Sequence, residues 1–312
     1  MAIEQESVKS TQIDPATFYS ERRATERGGL RDFFTRLFRA RLAGVGLVIV
    51  VIFILSALLA PVIAPDHPTK TNLLNRLKPP SAQNLLGTDD LGRDILSRIL
   101  YGGQVSLKVG FISVTIAMVV GICLGLVAGY WSGSPLDQII MRVIDGLLAF
   151  PALILALAIV AALGVDREDA VFPKVIYAIS IVGVPAYARL TRGQVLSMRE
   201  REFVLAARTV GAADRRIIWL HIFPNITAPL IVQSSLGIAG AILAEAGLSF
   251  LGLSVPPSTP TWGNMLSAGR GYIEIDPWLL IGPGSAVFLA VLGFNFLGDG
   301  IRDVLDPRLR NS

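Results

Sequence analysis

Charge is almost absent from six stretches of the chain, and polar clusters separate them. The stretches are residues 42–65, 109–136, 146–165, 175–188, 226–253 (interrupted by Glu245) and 277–297. A helix must present about 20 mostly apolar residues to cross roughly 30 Å of hydrocarbon. The pattern therefore predicts an all-α polytopic membrane protein with six transmembrane helices. The fourth stretch is the shortest. It lies between Lys174 and Arg189, close to Pro173 and Pro185, so its ends are expected to snorkel. Ahead of the first stretch, Leu30, Phe33, Phe34, Leu37 and Phe38 recur at helical spacing against Arg31, Arg36, Arg39 and Arg41. That spacing predicts an amphipathic helix over 30–41 on the inner leaflet, or else a solvated start to the first span. Residues 1–29 read as a disordered tail. About 40 mostly polar residues precede a first apolar stretch too long for a signal-peptide core, so a retained span is expected rather than a cleaved leader.

The cations set the orientation. Of 28 Lys and Arg residues, 19 fall on the side of the two termini, chiefly in the tail before the first span and in the loop after the fourth. Eight fall on the opposite side. The positive-inside rule then places the N and C termini in the cytoplasm. The net charge of +4 is thereby topological and implies no nucleic acid. The composition agrees with a membrane protein, being 52% hydrophobic and 17% charged, where soluble chains carry about 25% charged residues. One cysteine, Cys123, excludes a disulfide scaffold, and two histidines, His67 and His221, leave no multi-ligand metal site.

Apolar helices in lipid need close packing, which small residues four apart permit. Gly121, Gly125 and Gly129 form such a stripe in the second span, with Gly237, Ala241 and Ala244 in the fifth and Gly282, Gly284 and Gly293 in the sixth. The first set is expected to face another helix.

The loop between spans four and five is the most informative segment. Phe203, Ala206, Ala207 and Val210 share a helical face, Gly211 punctuates it, and Ile217, Ile218 and Ile222 lead on to Pro224. Two short helices joined at a glycine bend are expected, of a kind a cytosolic partner could grip in a groove. This segment resembles the EAA loop of importer-type ABC permeases, with Ala206, Ala207, Gly211 and Pro224 in register and Leu205 where the family usually has Glu. Either one ionic contact to the ATPase is lost there, or Glu202, one turn earlier, substitutes for that acid. Three further segments resemble the dipeptide/oligopeptide permeases: 87–107, with Gly102-Gly103 and Ser106-Leu107; 248–263, with Thr261-Trp262-Gly263; and 294–307, ending Asp306-Pro307. The first of these reads as a short external helix with Thr88 as N-cap, Asp89 and Asp90 in its first turn, and Asp94 paired with Arg98.

The resemblance spans about residues 30–310 and implies the C-type permease subunit of a peptide-class ABC importer, with a type I permease fold, in the bacterial cytoplasmic (inner) membrane. It divides the chain into a first span at 42–65, an external segment at 66–104, a permease core at 105–297 with a coupling loop at about 190–224, and a cytoplasmic tail at 298–312. It implies contact with ATPase subunits through Glu202, Phe203, Leu205, Ala206, Ala207, Arg208, Gly211 and Pro224. The implied partners are a second, B-type permease subunit, one or two kinds of ABC ATPase, an extracytoplasmic solute-binding protein, membrane lipid and a peptide substrate. The chain itself is expected to bind no cofactor and to catalyse nothing, ATP and Mg belonging to the partner subunits. Leu100-Tyr101-Gly102-Gly103-Gln104 imitates an ABC signature, but the sequence has no Gly-Lys dipeptide and hence no phosphate loop. Within the spans Glu245 is the conspicuous acid. It either lines the translocation path or hydrogen-bonds between helices. The alternatives are a stand-alone proton-coupled carrier, which would need more intramembrane acids and an inverted repeat, and an intramembrane hydrolase, for which no nucleophile–base set is evident.

Overall fold

The computed structural model describes residues 37–38, 41–164, 171–253, 256 and 259–305. Most of the amphipathic helix expected at 30–41, the tail at 1–29 and the Asp306-Pro307 close lie outside these residues.

Among the described residues the fold is helical throughout. Its elements are α1 (Arg41–Leu58), α2 (Ile95–Tyr130), α3 (Pro135–Leu148), α4 (Ala152–Ala162), α5 (Val171–Arg199), α6 (Glu202–Thr209), α7, α8 (Trp262–Gly269) and α9 (Trp278–Leu305). Helix α7 is one run, Asp214–Phe250, of 37 residues. It passes through a π-helical stretch, Ile217–Ile222, just before Pro224. Helices α1, α2, α7 and α9 are long and apolar enough to cross a membrane, and α3 with α4 would make a fifth span. Helix α5, with 29 residues, is long enough too, but Lys174, Arg189 and Arg192 dilute its apolar character.

Several boundaries differ from the sequence expectation, each for a local reason. The second apolar stretch does not run to residue 136. Trp131 ends α2, Gly133 turns the chain with φ of +86°, and Ser134 caps a new helix with Pro135 in its first turn. The third stretch is not one straight span. Pro151, which disfavours helix in the residue before it, separates α3 from α4, and the two are bent by 98°. Helix α5 continues through Arg189, Arg192 and Arg199, so the cytoplasmic loop begins later than expected. Helix α9 carries on to Leu305, beyond the tail boundary expected at 298.

The short external helix at 88–98 is also absent. Gly87 and Gly92 both have positive φ, and Asp89 folds back to accept the N–H groups of Leu91 and Arg93. Asp94, not Thr88, caps the following helix, taking the Ser97 N–H at 2.7 Å. Arg98 lies beside Asp89 and donates to the Pro68 carbonyl, while Asp94 is occupied by the cap.

Two seams hold the bundle. Gly121, Gly125 and Gly129 lie flat against α5. A Cβ at these positions would come 2.5 Å from Tyr187 Cβ, 2.5 Å from Thr191 Cβ and 2.7 Å from Val195 Cβ. The second seam joins α1 to α9, where Gly46 meets Leu297 and Gly293, and Gly300 meets Ala43. Both use glycine to bring backbones together, the device that replaces the hydrophobic drive in lipid. The seams also sort the helix ends. One end gathers the start of α1, the close of α2, α5 and α9, and all of α6, and it holds Arg189, Arg192, Arg199, Arg201, Arg208, Arg215 and Arg216. The other holds residues 66–104 and helix α8.

Candidate functional site

At the arginine-rich end, α6 stands off the bundle. Its eight residues bury one side chain, Val204, with Ala207 half-buried. Glu202, Phe203, Leu205, Ala206 and Arg208 are exposed, and so is Val210 just beyond. The helix ends in a Schellman turn. The Gly211 N–H reaches the Arg208 carbonyl, the Ala212 N–H reaches the Ala207 carbonyl, and Gly211 holds φ of +78°. A Cβ there would meet nothing, so glycine is needed for its backbone angle and not for space. The face expected to carry Phe203, Ala206, Ala207 and Val210 is thus divided, with Ala207 turned partly inward and Phe203 and Val210 left 44% and 84% exposed. The second short helix expected after Gly211 is no separate element. Asp214 opens α7, and Pro224 lies exposed within it after the π turn.

The sequence reading missed how this end is tied to the spans. The Tyr130 hydroxyl donates to Asp214 at 2.5 Å, and the Arg208 guanidinium lies 5.9 Å from the Tyr130 ring centre. Two ion pairs fasten α3 to α5, Arg192 to buried Asp137 at 2.7 Å and Arg189 to exposed Asp145 at 2.6 Å. Asp137 and Asp145 are eight residues apart on α3, a spacing that could have suggested a shared face. No spacing links Tyr130 to Asp214.

At the opposite end Glu245 is 1% exposed. Ser249 donates to its Oε1 at 2.6 Å and Ser106 to its Oε2 at 3.1 Å. The Trp262 N–H reaches Ser106 Oγ, and the Trp262 indole donates to the Ile99 carbonyl at 3.0 Å. Trp262 packs on Gly102 and Gly103 and edge-on to Phe53, while Gly263 sits against Ala246 and Ser249. The carboxylate thus accepts from hydroxyls on two helices, Ser106 of α2 and Ser249 of α7. Sequence segments 87–107 and 248–263, distant along the chain, meet here. Among the described residues no group of three or more His, Cys, Asp or Glu side chains could hold a metal ion.

Comparisons with known proteins bear on this architecture. The family described as "Binding-protein-dependent transport system inner membrane component" matches residues 121–311, and "N-terminal TM domain of oligopeptide transport permease C" matches residues 30–80. The chain is 48% identical to a dipeptide transport system permease protein of Alkalihalophilus pseudofirmus, over 90% of each chain. It is 44% identical to a di/tripeptide transport system permease protein of Pseudomonas aeruginosa, over 91% of this chain and 93% of that one. A glutathione transport system permease protein of Pectobacterium atrosepticum is 41% identical over 90% and 92%. Among solved structures, inward-facing MetNI methionine ABC transporter aligns with a TM-score of 0.52 at 15% identity, covering 68% of this chain and 98% of that one. At that identity the likeness speaks to the fold, which is that of an ABC importer permease.

Proposed function

The chain belongs to the binding-protein-dependent transport system inner membrane components, and from that premise we propose that it is the C-type permease subunit of a peptide-class ABC importer. It sits in the inner membrane and is not itself catalytic. In this reading it forms half of a translocation path beside a B-type permease subunit, receives its solute from an extracytoplasmic binding protein, and takes its drive from cytoplasmic ATPases that hold ATP and Mg. The peptide class rests on the relatives, which are named for dipeptide, di/tripeptide and glutathione transport.

The observation that carries the coupling role is the stance of α6. It projects from the arginine-rich end with Phe203, Leu205 and Val210 uncovered. Exposed apolar side chains on a helix standing off the bundle are what a partner's groove would cover. Leu205 fills the position where the family pattern has Glu, so this footprint offers an apolar contact there, with the exposed Glu202 carboxylate one turn away. The proton-coupled carrier loses support, because the relatives are named as permease proteins of transport systems.

The test is purification in mild detergent after expression of the whole transport system. ATPase and B-type subunits should co-purify, and vesicles should take up di- or tripeptides only with ATP, binding protein and all subunits present. Peptide uptake by this chain alone, driven by a proton gradient, would refute the proposal.

A further inference from the structure

Helix α6 has little hold of its own on the spans. Its single buried side chain is Val204, so a push on α6 must reach the membrane helices by some firmer route. The Schellman turn leads directly into Asp214, the first residue of α7. Asp214 is bonded at 2.5 Å to Tyr130, the last residue of α2, and that length belongs to a charge-assisted O–H···O contact. Helix α2 is in turn pressed against α5 along the glycine seam. Arg208 of α6 lies over the Tyr130 ring. One side chain thus meets α6 through its ring and hydroxyl and α7 through its hydroxyl, while its backbone closes α2. Beside it lies an open groove of about 470 Å³, lined by Trp131, Asp214, Arg215, Ile218 and Trp219 among others.

We propose that Tyr130 is a positioning residue for coupling: its bond to Asp214, under Arg208, makes the start of α7 and the close of α2 move with α6. The proposal rests on the coupling role argued above and assigns its route within the chain. Tyr130 is itself buried and lies off the exposed face of α6.

The test uses the complete transporter in vesicles, with peptide uptake and ATP hydrolysis measured together. Tyr130→Phe keeps the ring under Arg208 and removes the hydroxyl, with its bond to Asp214 and its polar interaction with Arg208. Hydrolysis should persist, while peptide carried per ATP should fall by about threefold or more, the change that loss of roughly one net hydrogen bond allows. Asp214→Asn keeps an acceptor oxygen and should lower the ratio less. Adding it to Tyr130→Phe should cost nothing further, because the bond is already gone. The proposal is overturned if Tyr130→Phe carries as much peptide per ATP as the wild type. It is equally overturned if uptake and hydrolysis fall in proportion with a lowered melting temperature, the mark of a merely structural bond. A wild-type complex that hydrolyses ATP without importing peptide would instead overturn the coupling reading, and this route with it.

Discussion

The α2–α5 seam makes a quantitative demand on Gly125. A Cβ there would lie 2.6 Å from the Ala188 carbonyl oxygen and 2.5 Å from Thr191 Cβ. The carbonyl is backbone and cannot rotate away. To restore ordinary contact the helices must part locally by about 0.8 Å, which loosens the neighbouring contacts at Gly121 and Gly129 as well. Overpacking of this kind costs about 1–3 kcal/mol. Alanine also gains roughly 1 kcal/mol of helix propensity over glycine. Gly240 supplies the control, because it lies within α7 and a Cβ there meets nothing within 4 Å. Gly125→Ala and Gly240→Ala share the propensity gain, so their difference isolates the steric cost. Gly125→Ala should therefore melt below Gly240→Ala, at about 2–4 °C per kcal/mol for a chain of broadly this size. The assay is thermal unfolding of the purified chain in one mild detergent, followed by tryptophan fluorescence. If Gly125→Ala melts at or above the control, α2 and α5 are not locked at this seam.

Three further outcomes are expected. Gly211→Pro, which imposes a φ near −65° and removes the N–H bonded to Arg208, should leave ATP hydrolysis running and strongly reduce ATP-driven peptide uptake in vesicles; unchanged uptake would exclude this turn from coupling. Glu245→Gln cannot accept both serine hydroxyls as before and should destabilise the transporter by about 1–3 kcal/mol without changing its preference among peptides of different charge; a charge-dependent change in uptake at unaltered melting temperature would return Glu245 to the path. Burial pushes the Asp276 carboxyl above its ordinary range, and its Oδ2 lacks a hydrogen-bond partner among the described residues, so its favourable contribution is whole below about pH 4 and is lost as pH rises through the raised folded value; Asp276→Asn should raise the melting temperature at neutral pH and not at pH 4, and an equal gain at both would refute the assignment.

Much of this architecture is legible in the chain because lipid simplifies the code. Long uncharged runs must be helices, and glycines four apart must face something. All six apolar stretches fall largely on helices, although the third is broken. The misses have a common cause. Counting uncharged residues ignores turn chemistry, so Gly133-Ser134-Pro135 and Pro151 were absorbed into spans that they interrupt. Counting charges as helix breaks cut α5 short, although long arginine side chains can leave the bundle while the backbone stays helical. At the candidate site the standing of α6 and the bend at Gly211 were local and readable. The hydroxyl bond from Tyr130 to Asp214 and the serine donors around Glu245 were not, because Tyr130 and Asp214 are 84 residues apart, and Ser106 and Glu245 are 139 apart.

The distribution of rigid and bendable parts limits which motions the chain can make. Helices α2 and α5 are fused by backbone contact at three glycines. The external end is locked by the contacts among Ser106, Glu245, Ser249 and Trp262. The weak points of α7 all lie near its other end, where the π-helical stretch Ile217–Ile222 is followed by Pro224 and Pro229. Such irregular turns leave intrahelical bonds easier to exchange. The 31 residues from Asp214 to Glu245 extend for about 46 Å. If the external cluster serves as the pivot, a displacement of about 3 Å at Asp214 becomes a tilt of only about 4° over that lever. The irregular turns near Pro224 can absorb part of that tilt. On this geometry the two serine hydroxyls that donate to Glu245 tie α2 to α7 at the pivot end of that lever.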